Sequence, residues 1–176
     1  MAYYRDLDRC TYFPVEYDDA LVAVGWLEPG HDFTQGSVDA QFFERLEIFC
    51  LRPWLSVHYL GGHECGLCQH RGPILQGHIF IPYRGRIFAA PGGVTHYIRS
   101  HWYRPPDEFI QAVIACPDMG SAEYGAALVA NGGRELAEGF EPDWDEEFKA
   151  QLPPPEACAV GYCACAINGC AFKDFA

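Results

Sequence analysis

"GHIFIPYRGRIFAAPGGVTHYIRSHWY", residues 77–103, decides how this chain folds. Two apolar runs, His78–Ile81 and Arg86–Ala89, flank a turn at Tyr83-Arg84-Gly85, which is the signature of a β-hairpin. The segment after Pro91 reads as a short helix that Pro105 and Pro106 must end. Proline lacks the N–H that continues the helical ladder and pushes the preceding residue out of helical backbone. His96 and His101 both fall on this helix, so the hairpin is followed by a helix bearing an H-x4-H pair.

Just upstream lies "GGHECGLCQH", residues 61–70, which packs His63, Cys65, Cys68 and His70 close together between glycines. Two thiolates at C-x-x-C spacing in a glycine-rich turn can point at one ion, and zinc wants four such ligands in a tetrahedron. A lone C-x-x-C is a weak signal; a C-x-x-C followed by a hairpin and a His-bearing helix is the order that lets a small ββα unit close on zinc. Two His five residues apart lie about 140° apart on a regular helix turning about 100° per residue, so they converge only if the last turn loosens. The first choice of ligands is Cys65, Cys68, His96 and His101. Cys50 and His63 are alternates that would complete a Cys50-His63-Cys65-Cys68 site, and a metal-free cluster of buried thiols also stays open. His70 reads as a solvated loop residue. Thioredoxin-like chemistry needs the C-x-x-C at the start of a helix after a strand, and "CGLC" precedes a hairpin instead.

The flanks supply more elements. "ALVAVGWL" (20–27) reads as a buried strand closed by the turn "EPGHD". Residues 37–51 read as a helix with Ser37 as N-cap and Phe42, Leu46 and Phe49 at helical spacing. "WLSVHYL" (54–60) reads as a short strand. Downstream, Pro106 fits the first turn of a helix whose Asp107 and Glu108 favour the positive end of its dipole, with Phe109 and Val113 on the buried face. Further helices are expected over 121–133, with a glycine C-cap, and over 142–152, followed by the Pro153–Pro155 linker. Cys158, Cys163, Cys165 and Cys170 do not match a usual zinc spacing and read as part of a small-residue terminal segment. The expectation is an α+β fold: a short β-hairpin or small antiparallel sheet, with several helices, around one zinc site in a zinc-finger-like ββα element. Residues 1–116 would form the zinc-stabilised core domain. Residues 117–176 would form a helical, acidic, Cys-rich extension packed on it.

Composition limits the function classes. Of 176 residues 49% are hydrophobic and 15% aromatic, which is globular rather than disordered. The formal net charge is −12, and an acidic surface repels phosphate backbones, so nucleic acid is not the expected partner. The segment "EPDWDEE" (141–147) is strongly acidic, whereas Arg84, Arg86, Arg99 and Arg104 fall in the middle of the chain. "MAYYRDLDRC" lacks the apolar core of a signal peptide, and no apolar run reaches the length of a membrane span, so a cytoplasmic location is expected. Nine Cys in a reducing compartment point to metal or buried thiols, and an odd number cannot all pair within the chain.

A set of short motifs falls in one order: Val24-Gly25-Trp26-Leu27, His31-Asp32-Phe33, Gly36, Cys50, Arg52-Pro53, Gly62-His63, Cys65 and Cys68, then Ala89-Ala90-Pro91, His96-Tyr97, His101, Tyr103, Pro105-Pro106, Glu108-Phe109 and Ala112-Val113. In these the chain resembles an uncharacterised bacterial family of small Cys/His-motif proteins, a domain of unknown function, over roughly residues 10 to 115. The resemblance implies that residues 1–116 form the core unit and that the remainder departs from the family pattern. It implies no activity.

The residues themselves favour recognition over catalysis. A four-ligand Cys/His site is closed to substrate, and the chain has no nucleophile elbow, phosphate-binding loop or H-E-x-x-H. The expectation is a non-catalytic, zinc-stabilised interaction protein that recognises or neutralises a protein partner through Arg99, Trp102 and Arg104, since Trp and Arg concentrate at interface centres. The alternatives are a metal-dependent hydrolase or nuclease using His96 or His101, and a zinc-ribbon-like nucleic-acid binder using the arginines.

Overall fold

The computed structural model describes residues 2–13, 20–54, 63–68, 74–75 and 77–137. The hairpin forms as its sequence requires. β4 (His78–Tyr83) pairs antiparallel with β5 (Arg86–Pro91), in register from His78↔Pro91 to Tyr83↔Arg86. Its two-residue turn, Arg84-Gly85, has φ of 49° and 78°, the two positive values that a twist-matched type I′ turn demands. Ile79, Phe80 and Ile81 of β4 and Ile87, Phe88, Ala89 and Ala90 of β5 are all buried. Both faces of the hairpin are therefore covered, and its apolar runs are continuous rather than alternating.

The sheet is mixed. β1 (Leu21–Ala23) lies parallel to β5, with Leu21↔Ile87 and Ala23↔Ala89, giving the order β1-β5-β4. Residues 7–10 bond along its other edge: the Leu7 N–H donates to the Ala23 carbonyl at 2.8 Å and the Cys10 N–H to that of Leu21 at 3.0 Å. The strand is shorter than the 20–27 run because Gly25 turns the chain away at φ +73°; a side chain there would meet Val94 Cγ2 at 2.9 Å. A second, two-stranded piece pairs β2 (His63–Glu64) with β3 (Ile74–Leu75).

Helices cover the sheet. α1 (Ala40–Leu51) starts later than Ser37, because Asp39 takes the N-cap and its carboxylate accepts from the Gln41 N–H. Phe42, Phe43, Leu46 and Phe49 form its buried face. α2 (Val94–His101) follows the hairpin. α3 (Asp107–Ala115) packs on α1, with the Phe109 ring edge-on to Phe42 and to Phe88 of β5. Pro106 sits at the N-cap of α3, so Asp107 and Glu108 occupy its first turn. Arg45 of α1 closes the other end of α3, donating to the Val113 carbonyl at 3.0 Å and to that of Cys116.

α4 (Ala122–Ala130) is capped by the Ser121 hydroxyl and ends at Asn131, one residue before Gly132 at φ +93°. It lies against β4: the buried Tyr124 hydroxyl donates to the Phe80 carbonyl at 2.7 Å. α5 (Arg134–Ala137) follows, and the Trp54 indole N–H donates to the Leu136 carbonyl. Among the described residues, the segment after Cys116 is thus tied directly to the central strands. The strand expected over 54–60 lies almost wholly outside the described residues; the helix over 142–152 and the four C-terminal cysteines lie wholly outside them. No helix of the described residues is long and apolar enough to cross a membrane.

Candidate metal centre

The ββα unit brings Cys65, Cys68, His96 and His101 together. One ligand atom from each lies within 4.8 Å of every other. Cys65 Sγ is 3.3 Å from His101 Nε2, and Cys68 Sγ is 3.4 Å from His96 Nε2 and 3.5 Å from His101 Nε2. Both imidazoles therefore offer the same nitrogen to the sulfurs. This cluster can hold a metal ion.

Two local structures build it. The first is the turn Cys65-Gly66-Leu67-Cys68, which follows β2 and directs both thiols to one side. It rests on Pro29, whose Cγ would be 3.0 Å from a side chain at Gly66, and Leu67 packs on the core. The second is the end of α2. Trp102 stands at the C-cap in left-handed backbone, φ 56° and ψ 27°, and its N–H bonds to the Tyr97 carbonyl five residues back rather than four. A left-handed residue with such a long closing bond is how helices commonly end. His101, the last residue of α2, has its ring centroid 5.1 Å from that of His96. The Tyr103 N–H bonds to the same Tyr97 carbonyl at 3.2 Å.

The end of α2 is held from outside. Gln35 bridges to Tyr103, the Gly36 N–H donates to the Trp102 carbonyl at 3.0 Å, and the Arg104 N–H donates to that of Thr34 at 2.8 Å. Beneath it, the Tyr103 hydroxyl donates to the carboxylate of Asp6, which also accepts from the Gly25 N–H at 2.9 Å. Burial raises the Asp6 carboxyl above its ordinary range although both donors work to lower it.

The surroundings keep the imidazoles neutral. Burial first, then the charge of His101, lowers His96 to about 4; burial lowers His101 as well. A metal-binding His must be neutral, so desolvation prepares both rings. Ser100 Oγ lies 3.3 Å from His96 Nδ1. Were Nε2 to bind a metal, Nδ1 would carry the proton and could donate to Ser100, holding the ring plane.

The other residues singled out from the sequence fall elsewhere. Cys50 is near the end of α1 and is not part of this cluster; burial, then Glu47, pushes its thiol above the usual range. His63 lies in β2, opposite Leu75, and His70 is outside the described residues. Arg99 pairs with Glu47 at 2.6 Å and lies over the Phe43 ring. Arg104 donates to the Ser37 carbonyl at 2.7 Å and to Asp107 at 2.5 Å. Trp102 is 53% exposed. Sequence reading passed over Ser100 and Asp6, and took Tyr103 only as a motif residue packed around the site. Ser100 was detectable, being one helical turn from His96; the Asp6–Tyr103 bond, between residues 97 apart, left no local signal.

No curated protein and no solved structure matches the chain. One family does, over residues 2–114, and it is described as a domain of unknown function, DUF7919. The match takes in Cys65, Cys68, His96 and His101, the contacts of residues 34–36 with 102–104 and the sheet beneath them, and the chain belongs to that family.

Proposed function

We propose that the cluster is a structural zinc site and that the protein is a non-catalytic interaction domain. The observation that carries this reading is the set of four converging ligands, Cys65, Cys68, His96 and His101. A tetrahedral zinc with Zn–S of about 2.3 Å and Zn–N of about 2.0 Å has S···N edges of about 3.5 Å. The three S···N distances of 3.3, 3.4 and 3.5 Å fit those edges. Two thiolates with two imidazoles suit zinc rather than magnesium or calcium, which prefer oxygen. Four protein ligands fill the tetrahedron, whereas a hydrolytic zinc keeps a position open for water.

Zinc would lock the turn after β2 to the end of α2 and hold Trp102 at the surface. Arg99 and Arg104 are engaged with Glu47, Ser37 and Asp107, which leaves Trp102 as the aromatic anchor for a protein partner. The net charge of −12 favours a basic partner over nucleic acid. The reading places the protein in a bacterial cytoplasm, where thiolates stay reduced.

The test is metal analysis of the reduced, purified protein with X-ray absorption at the zinc edge. One zinc per chain, with two sulfur and two nitrogen neighbours, supports the reading. A three-ligand zinc with a bound water turns it towards a hydrolase, and absence of metal overturns it.

A further inference from the structure

Cys65 and Cys68 share one short turn, and their sulfurs lie within 4.8 Å of each other. The two differ in access. Cys65 is 3% exposed, whereas Cys68 is half-buried, so solvent reaches one residue of the pair and the protein shields the other. Cys10 and Cys116 are buried elsewhere in the core, and Cys50 is not part of the cluster. The thiol that a sulfur oxidised at position 68 finds within the cluster is therefore that of Cys65. An accessible cysteine beside a shielded one is the arrangement of an attacking and a resolving thiol.

We propose that the Cys65–Cys68 pair is a redox switch for the metal centre: a peroxide oxidises it to a disulfide and the ion is expelled. The inference rests on the zinc reading. Zinc holds both sulfurs as thiolates, the nucleophilic form. The Cys68 sulfur attacks one peroxide oxygen; an S–O bond forms, the O–O bond breaks and hydroxide leaves. The Cys65 thiolate then attacks the Cys68 sulfenic acid; the S–S bond forms, the S–O bond breaks and a second hydroxide leaves. Two thiolates have lost two electrons, and one peroxide has been reduced to two hydroxides, which take protons from water or buffer. The sulfurs, starting within 4.8 Å, close to about 2.05 Å. His96 and His101 then supply only half of a zinc tetrahedron, so the ion departs as Zn²⁺. Its loss unties the turn after β2 from α2, the helix that Trp102 caps, and oxidation thereby withdraws the support of the docking residue.

The experiment treats the full, zinc-loaded chain with hydrogen peroxide. A chromogenic chelator reports released zinc against an untreated sample, and mass spectrometry of peptides maps the disulfides. Dimedone, added with limiting peroxide, marks the sulfur oxidised first. The expected result is one zinc lost per Cys65–Cys68 disulfide, dimedone on Cys68, and zinc taken up again after a dithiol reductant. Cys50→Ser, which lies outside the cluster, should release zinc as the wild type does. Zinc retained while peroxide oxidises other thiols overturns the inference. So does zinc lost with either sulfur bonded to another cysteine or oxidised beyond the sulfenic state, and so does dimedone on Cys65 in place of Cys68. Release that disappears in Cys50→Ser also overturns it, because Cys50 is then the resolving thiol. Each of these outcomes leaves the zinc reading intact, since the chain was loaded at the start. A reduced wild-type chain that takes up no zinc removes the zinc reading itself, and the switch with it.

Discussion

The Tyr103 hydroxyl donates to both carboxylate oxygens of Asp6, at 2.9 and 2.8 Å. This contact joins the N-terminal segment to the residue that follows the C-cap of α2. Removing the carboxylate orphans two donors, the Tyr103 hydroxyl and the Gly25 N–H. Each such loss costs about 1–3 kcal/mol. Asp6→Ala should therefore destabilise by about 3 kcal/mol, and Tyr103→Phe by less, since Gly25 still serves the carboxylate. Urea unfolding of both variants checks the order.

The metal should support much of the fold. Free zinc at about a thousand times its dissociation constant stabilises by about 4 kcal/mol, and for a chain of this size each kcal/mol moves Tm by about 2–4 °C. Excess chelator should thus lower Tm by roughly 12 °C. Cys68→Ser, which removes a ligand lying close to both imidazoles, should weaken zinc binding by more than about 100-fold, beyond what outer partners contribute. Differential scanning calorimetry with and without chelator measures the first effect and competition titration the second.

His78 predicts a pH dependence away from the metal. Its ring stacks on Trp26 at 5.4 Å with Tyr12 and Phe13 beside it, and burial lowers its pKa from 6.5 to about 4. Between those values the unfolded chain binds a proton at His78 that the native chain does not. Stability is therefore full above pH 6.5, falls as pH drops through the window, and levels off below about 4. The total is about 3 kcal/mol at most. His78→Phe should make this slope shallower without abolishing it, because His96, also lowered to about 4, titrates in the same window; denaturant titration at several pH values with chelator in both samples measures the difference.

Gly25 offers a test of packing at the base of the site. A methyl group there meets Val94 Cγ2 at 2.9 Å and sits on backbone at φ +73°. Gly25→Ala should cost about 2–3 kcal/mol. Combining it with Val94→Ala removes the clash and leaves the backbone strain, so the double variant should be more stable than the sum of the singles predicts. A double-mutant cycle in urea supplies the coupling energy.

The sequence carried the parts of this fold that are local. The alternation of apolar runs around Arg84-Gly85 named the hairpin, and the spacing of Phe42, Leu46 and Phe49 named the buried face of α1. The four Cys and His positions that converge were also readable from residue type and order. What the sequence does not display is anything that depends on distant pairing. β1 reads like any apolar strand, and its parallel place beside β5 follows from a crossover that no short window contains. The residues just after α2 are held by residues 34–36, some 68 positions earlier, and that contact leaves no local trace in the sequence. Ser37 lost the cap of α1 to Asp39 because two good capping residues stood close together and only tertiary packing chose between them.

The parallel pairing of β1 with β5 also governs how the chain is made. A ribosome releases β1 well before β5, at about 5–20 residues per second, with α1, the cysteine turn and β4 emerging between them. During that interval, among the described residues, the strand has residues 7–10 to pair with along one edge. Its other edge gains its partner once β5 has emerged from the ribosome, so the sheet is completed late in the synthesis of residues 1–91.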